Sequence, residues 1–125
     1  MTCVRHNVVL IYNQMVVDSV AERQTDRIFH ALADSTRRDI LRRAMGGDRS
    51  VSALARLYPM SFAAVQKHVA VLEGAGLVVK HQQGRERLVE TDIEAIETAN
   101  RLLDQFEELW RSRISRLDEM LAEPE

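Results

Sequence analysis

The sequence predicts a mainly α-helical domain with one small β-hairpin, and three observations carry that prediction. Apolar residues recur at three- and four-residue spacing through most of the chain after residue 27, and only two short β-branched-rich runs interrupt them. Glycine (5), proline (2) and aromatics (5%) are too scarce for the many turns of an all-β chain. With 125 residues the chain falls below the roughly 150 of a typical domain, so one domain is expected. Its 46% hydrophobic and 29% charged residues suit a packed core and exclude the apolar-poor composition of disorder.

The elements follow in chain order. Ile28, Phe29, Leu32 and Ala33 lie at helical spacing and predict a short helix that stops near Asp34-Ser35. Asp34 can cap the next helix, Ser35 to about Met45, whose apolar positions are Ile40, Leu41 and Ala44 and which Gly46-Gly47 ends. Ser50 or Ser52 can cap a third helix carrying Leu54, Ala55 and Leu57, closed by Pro59. Ser61 caps a fourth, Phe62 to Glu73, with Val65, Val69 and Leu72 as its buried stripe and Gly74 and Gly76 at its end. Residues 77–82 and 87–90 are the two strand-like runs, joined by Gln83-Gly84-Arg85-Glu86, which predicts a hairpin with a basic tip. Thr91 and Glu94 have capping-box spacing and open a last helix reaching about Ala122. Along it Leu103, Phe106, Trp110, Ile114, Leu117 and Leu121 advance by three or four residues, close to a heptad seam, and one small chain cannot bury them all. Trp110 could also mark a ligand pocket, but at seam spacing it reads as dimer core.

Two helices joined by a tight turn and followed by a two-stranded hairpin make a winged helix-turn-helix, whose second helix enters the DNA major groove. With Val65, Val69 and Leu72 turned inward, Phe62, Ala63, Gln66 and Lys67 occupy the opposite face near the helix start. A glutamine can pair bidentately with adenine and a lysine can donate to guanine O6/N7. The helix N-terminus capped by Ser61 suits a phosphate, and Lys80, Arg85 and Arg87 would sit on the wing beside the DNA backbone or minor groove. His68 lies between the exposed face and the stripe, open to a phosphate contact or to an intrahelical structural bond.

The formal charge of −2 conceals an uneven distribution. Residues 27–87 hold eleven Lys/Arg against five acids, whereas 88–125 hold four against eleven and 1–26 hold two against three. The middle is basic, and a local patch rather than the total sets the field that nucleic acid meets.

Other function classes lack support. The one cysteine, Cys3, allows no disulfide framework or multi-cysteine zinc cluster and fits a reducing cytosol, although a redox role for it stays open. The most apolar stretch, Val8 to Val17, is short of the roughly 20 residues a membrane helix needs, and no small-residue cleavage site follows it. A cytoplasmic protein without membrane contact is therefore expected. No Gly-rich phosphate loop, carboxylate pair or nucleophile–base arrangement suggests an enzyme. His6, His30, His68 and His81 have no spacing that would pair two ligands on one helix face, and no cofactor is implied.

The run from Phe29 through His30-Ala31-Leu32-Ala33-Asp34-Ser35-Thr36-Arg37-Arg38-Asp39-Ile40 to Leu41 resembles the ArsR/SmtB family of bacterial transcriptional repressors. So do the runs Ser61 to Val69 and Leu72 to Val78, and the likeness extends over roughly residues 22–122. The resemblance implies a homodimer packed through its first and last helices, with Ile28 contributing from the first, bound to a near-palindromic operator in double-stranded DNA. The chain departs from the metal-sensing members: their Cys-x-Cys pair falls on Ser50 and Ser52, and no histidine follows His81 for the C-terminal site. A member without those metal sites is expected, its effector either absent or an apolar ligand near Phe106 and Trp110. Residues 22–122 form the DNA-binding and dimerisation domain, and 1–21 an N-terminal arm or extension. Residues 1–14 lie outside the resemblance, and Met15 would be a natural alternative start. The competing expectation is a winged-helix scaffold for a protein partner with little DNA binding, motivated by the acidic last helix.

Overall fold

The computed structural model describes residues 19–47 and 49–122, so Cys3, His6 and the stretch 1–14 lie outside the described residues. Helix α1 covers 19–32 and takes in 19–21, which the sequence assigned to the arm. It is followed by α2 (Ser35–Met45), β1 (Arg49–Ser50), α3 (Val51–Ala55), α4 (Phe62–Gly74), β2 (Val78–Gln83), β3 (Glu86–Thr91) and α5 (Ile93–Ala122). The three strands form an antiparallel sheet in the order β1-β3-β2, so a mostly helical chain carries one small sheet. Strand β1, two residues long, is an addition to the expected hairpin.

The predicted caps set most helix starts. Asp34 is extended and its Oδ1 accepts from the Arg37 backbone N–H at 3.0 Å. The hydroxyls of Ser50 and Ser61 accept from Ala53 and Ala64 N–H groups at 3.1 Å, so Ser50 rather than Ser52 caps α3. Helix α3 stops at Ala55, earlier than expected, and Leu57 sits in the following turn, 43% exposed. Its N–H reaches back three residues to Leu54 at 3.0 Å, a tightened last turn that reverses the chain before Pro59. At the other end of the motif Leu77 N–H bonds to the Leu72 carbonyl and Gly76 N–H to that of Glu73, each at 3.0 Å. That double bond pattern is a Schellman ending, and it needs the φ of +77° that Gly76 adopts without a Cβ penalty.

Two further expectations shift. Pairing of Gln83 with Glu86 leaves a wing loop of only Gly84-Arg85, with Gly84 at φ +64°, as a two-residue turn with glycine first requires. Thr91 is paired with Val78 inside β3 and cannot cap α5. Asp92 does so instead, its Oδ1 accepting from Glu94 N–H at 3.0 Å.

Every described helix and both hairpin strands contribute to one apolar cluster. Ile28, Ile40, Leu54, Val65, Val69, Leu72, Val78 and Val89 are fully or almost fully enclosed, with Ala95 and Ala99 at the root of α5. Among the described residues no polar or charged residue is buried in it.

Two polar clamps tie the helices around that core. Arg37 donates through Nε to the Ala31 carbonyl at 2.8 Å and through Nη2 to that of His30 at 3.0 Å, and Arg38 donates to Leu32 O at 2.7 Å. These carbonyls belong to the last turn of α1, where that of His30 also accepts from the Ala33 N–H at 3.2 Å, so both arginines cap that helix from the next one. In the second clamp Asp39 Oδ2 accepts from the Tyr58 hydroxyl at 2.6 Å and from Arg43 Nε at 2.9 Å. The Arg43 guanidinium also lies 5.7 Å from the centre of the Tyr58 ring. The clamp fastens the turn after α3 to α2. The Tyr58 hydroxyl bond, with Arg43 second, holds the Asp39 carboxyl below its ordinary 3.8, while burial and then Asp39 push the Tyr58 phenol up to about 12.

Leu72→Ala opens a cavity where the core meets α4 and is expected to cost about 2–5 kcal/mol in denaturant unfolding. The clamp adds stability that has both an acid and an alkaline limit. Because the Asp39 pKa is lowered by folding, its contribution is complete above 3.8 and disappears as pH falls through the lower folded value. Because that of Tyr58 is raised, its contribution is complete below 10.0 and is lost as pH rises toward about 12. Melting temperatures of Asp39→Asn should therefore fall less steeply than those of the wild type below 3.8, where Asp34 still contributes, and those of Tyr58→Phe less steeply above 10.0.

Candidate nucleic-acid interface

Helix α4 is seated by Val65, Val69 and Leu72, all with no exposed surface, and its rotation follows from them. Positions one or four residues away on the opposite side then face outward: Phe62, Ala63, Gln66 and Lys67 are all exposed, as is the capping residue Ser61. The face that the sequence assigned to base reading is thus the solvent face of the second helix of the motif.

Strand alternation builds the other wall. Val78 and Val89 point into the core, and successive residues on the same side of the sheet are Lys80, Gln82 and Arg87, with Lys80 paired to Val89 and Gln82 to Arg87 across the strands. The inner side of the wing therefore changes from apolar to polar as it leaves the core. Between wing and helix lies a groove of about 300 Å³ lined by Phe62, Gln66, Lys80, Gln82, Arg85 and Arg87, with one acid, Glu86, and residues 50–52 at the start of α3 completing it. Gln82, whose Nε2 donates to the Gly84 carbonyl at 3.0 Å, went unnoticed in the sequence, although it stands two residues from Lys80 and hence on the same face.

The cations of the basic segment do not all serve one purpose. Arg37, Arg38 and Arg43 are committed to the clamps. Lys80 lies 3.5 Å from Glu73 at the end of α4 and offsets that carboxylate as well as lining the groove. Lys67, Arg85 and Arg87 are exposed and have no ion pair among the described residues.

His68 is half-buried and its Nδ1 makes no intrahelical bond. Its Nδ1 lies 3.4 Å from Nη1 of Arg37, which can only donate, so this ring nitrogen accepts from α2 across the helix–helix contact. Arg37 itself lies 3.9 Å from Asp34 Oδ2, and the Arg37 backbone N–H is the main influence holding the Asp34 carboxyl below its ordinary value. One guanidinium so joins the end of α1, the start of α2 and the middle of α4.

The second surface is α5. Only Ala95 and Ala99, near its start, are buried, and residues 103–122 are all exposed. Leu103, Phe106, Trp110, Ile114, Leu117 and Leu121 form the expected stripe, and Leu109 and Met120 widen it. Ile28 differs from its expected place in a subunit contact. It is wholly enclosed within its own chain, because its side of α1 is the side packed on the core, and it has no surface to give a partner.

Among the described residues no three His, Cys, Asp or Glu side chains gather as a metal site, and no helix is long and apolar enough to cross a membrane. The Ser50 hydroxyl, at the first position of the family's cysteine pair, is occupied as a helix cap.

No protein-family model matches the sequence. The chain is 39% identical over 84 residues to the HTH-type transcriptional regulator Rv2034 of Mycobacterium tuberculosis, a span of 67% of this chain and 78% of that protein. It superposes on the crystal structure of an ArsR family transcriptional regulator with a TM-score of 0.69 at 37% identity, covering 73% of this chain and 94% of that one. A solution structure of a homodimeric winged helix-turn-helix DNA-binding domain from Mycobacterium bovis, itself a possible ArsR-family regulator, matches with a TM-score of 0.56. The identity there is 25%, over 74% of this chain and 83% of that one. Sequence and architecture agree: the chain belongs to the ArsR family of winged helix-turn-helix transcriptional regulators.

Proposed function

We propose that the chain is a cytoplasmic, homodimeric, sequence-specific DNA-binding repressor that reads a near-palindromic operator. The observation that carries this reading is the groove in which the outward face of α4 meets a wing bearing Arg85 and Arg87. Gln66 and Lys67 offer an amide and an ammonium to base edges, and Ser61, Phe62 and Ala63 bring the start of α4 close to the DNA. Arg85 at the wing tip and Arg87 below it meet the sugar–phosphate backbone, Lys80 supports them, and His68 positions α4 through Arg37. No reaction chemistry is needed for this role.

The stripe on α5 supports the dimer. Its 30 residues span about 45 Å, and large apolar side chains from Leu103 to Leu121 stand in water unless a second copy covers them. The M. bovis neighbour is a homodimer, which agrees with this arrangement. Two copies related by a twofold axis would present two α4 helices about 34–36 Å apart, one turn of DNA.

Sedimentation should therefore find a dimer, and Trp110→Glu combined with Leu117→Glu should yield a folded monomer with much weaker operator binding. In titrations against a selected operator, affinity should fall linearly on a log–log plot against salt. Gln66→Ala and Lys67→Ala should each lose about 1–3 kcal/mol of discrimination between operator and mismatched DNA. Arg85→Ala should weaken all sequences alike and lower the salt slope by about one. Unchanged sequence preference in both α4 variants would reject this face as the reader.

A further inference from the structure

We propose that Phe62 is a specificity-determining residue that reads the 5-methyl group of a thymine, within two base pairs of an adenine taken by Gln66. The inference rests on the DNA-reading function above and adds one chemical feature of the target to it. Phe62 is the first residue of α4, is 48% exposed and is absent from the residues packed on the core, whose α4 stripe begins at Val65. It stands in the groove beside Gln66, with Arg85 and Arg87 on the opposite wall. The rest of that lining is polar apart from Val51, which is only 8% exposed, so the half-exposed phenyl ring is the main apolar surface offered to whatever enters.

The ring can neither donate nor accept a conventional hydrogen bond. Of the groups that base pairs display in the major groove, the thymine methyl alone is apolar, and it is the one that phenylalanine and alanine side chains contact. Ala63, also exposed, adds a small apolar neighbour. Phe62 and Gln66 are four residues apart, which puts their Cβ atoms about 5–6 Å from each other on one helix face. Successive bases along a strand are about 3.4 Å apart, so the two contacts fall on base pairs one or two steps apart. Each half-site then contains a thymine and an adenine at that separation, read by adjacent side chains.

The test uses the full-length protein and a duplex selected by it from random DNA. Each thymine of the selected site is replaced singly by deoxyuridine, which removes the methyl and keeps every hydrogen-bonding group, and each adenine by 7-deazaadenine, which removes the N7 acceptor. Dissociation constants are read by fluorescence anisotropy. One thymine per half-site should lose about fourfold in affinity on replacement, the value of one buried methyl-sized group. That loss should vanish with Phe62→Ala and persist with Phe62→Leu, which keeps an apolar side chain. The thymine should lie within two base pairs of the adenine whose replacement is felt by the wild type and ignored by Gln66→Ala. If the wild type binds its selected site specifically yet tolerates deoxyuridine everywhere, or if Phe62→Ala shows the same penalty, the assignment is overturned. Failure to select any sequence would overturn the DNA-reading function itself and this assignment with it.

Discussion

The orientation of α4 about its own axis is the constraint on which the rest of the structure depends. Helical residues advance by about 100°, so three enclosed side chains, Val65, Val69 and Leu72, fix the direction of all the others. A turn of the helix by one residue would bury Gln66 and expose Val65. The surroundings oppose such a slip at both ends and in the middle. Ser61 closes the N-terminus, the Schellman ending at Gly76 closes the C-terminus, and Arg37 holds His68 from α2. Each device is modest by itself, and together they give the outward face a single setting against the wing.

A second consequence concerns charge. A net −2 chain can present a cationic groove because its basic residues divide between structural and surface roles. Arg37 and Arg38 satisfy carbonyls at the end of α1, and Arg43 joins Asp39 and Tyr58 in the clamp behind the turn. Of these, Arg37 and Arg43 also have a carboxylate within 4 Å, Asp34 and Asp39 respectively. Arg85 and Arg87 line the groove and Lys67 is exposed on the outward face of α4, while α5 carries seven acids against four arginines. Local placement, not composition, sets the field at the interface.

Much of this was legible in the residues, since apolar spacing and short polar caps are local signals. Asp34 and Ser61 mark helix starts, Ser50 or Ser52 a third, and the period of Val65, Val69 and Leu72 identifies the inward face, hence also Gln66 and Lys67 as outward. What escaped depends on partners distant in sequence. Strand β1 exists only because Arg49 and Ser50 meet Val89 and Leu88, and Thr91 loses its capping role because Val78 pairs with it. The Tyr58 hydroxyl reaches Asp39, 19 residues away, and Arg37 reaches His68, 31 residues away. Ile28 looked available for a subunit contact because spacing tells that a residue is apolar-facing, not which surface covers it.

The outward face of α4 as the reader of base edges is tested most directly by a crystal structure of the protein bound to its selected operator. The N-terminal turn of α4 should lie in the major groove, with the Gln66 amide and the Lys67 ammonium within hydrogen-bond distance of bases and Arg85 and Arg87 against the backbone. A complex in which α4 stays clear of the groove, or meets only phosphates while bases are contacted from elsewhere, would contradict the account.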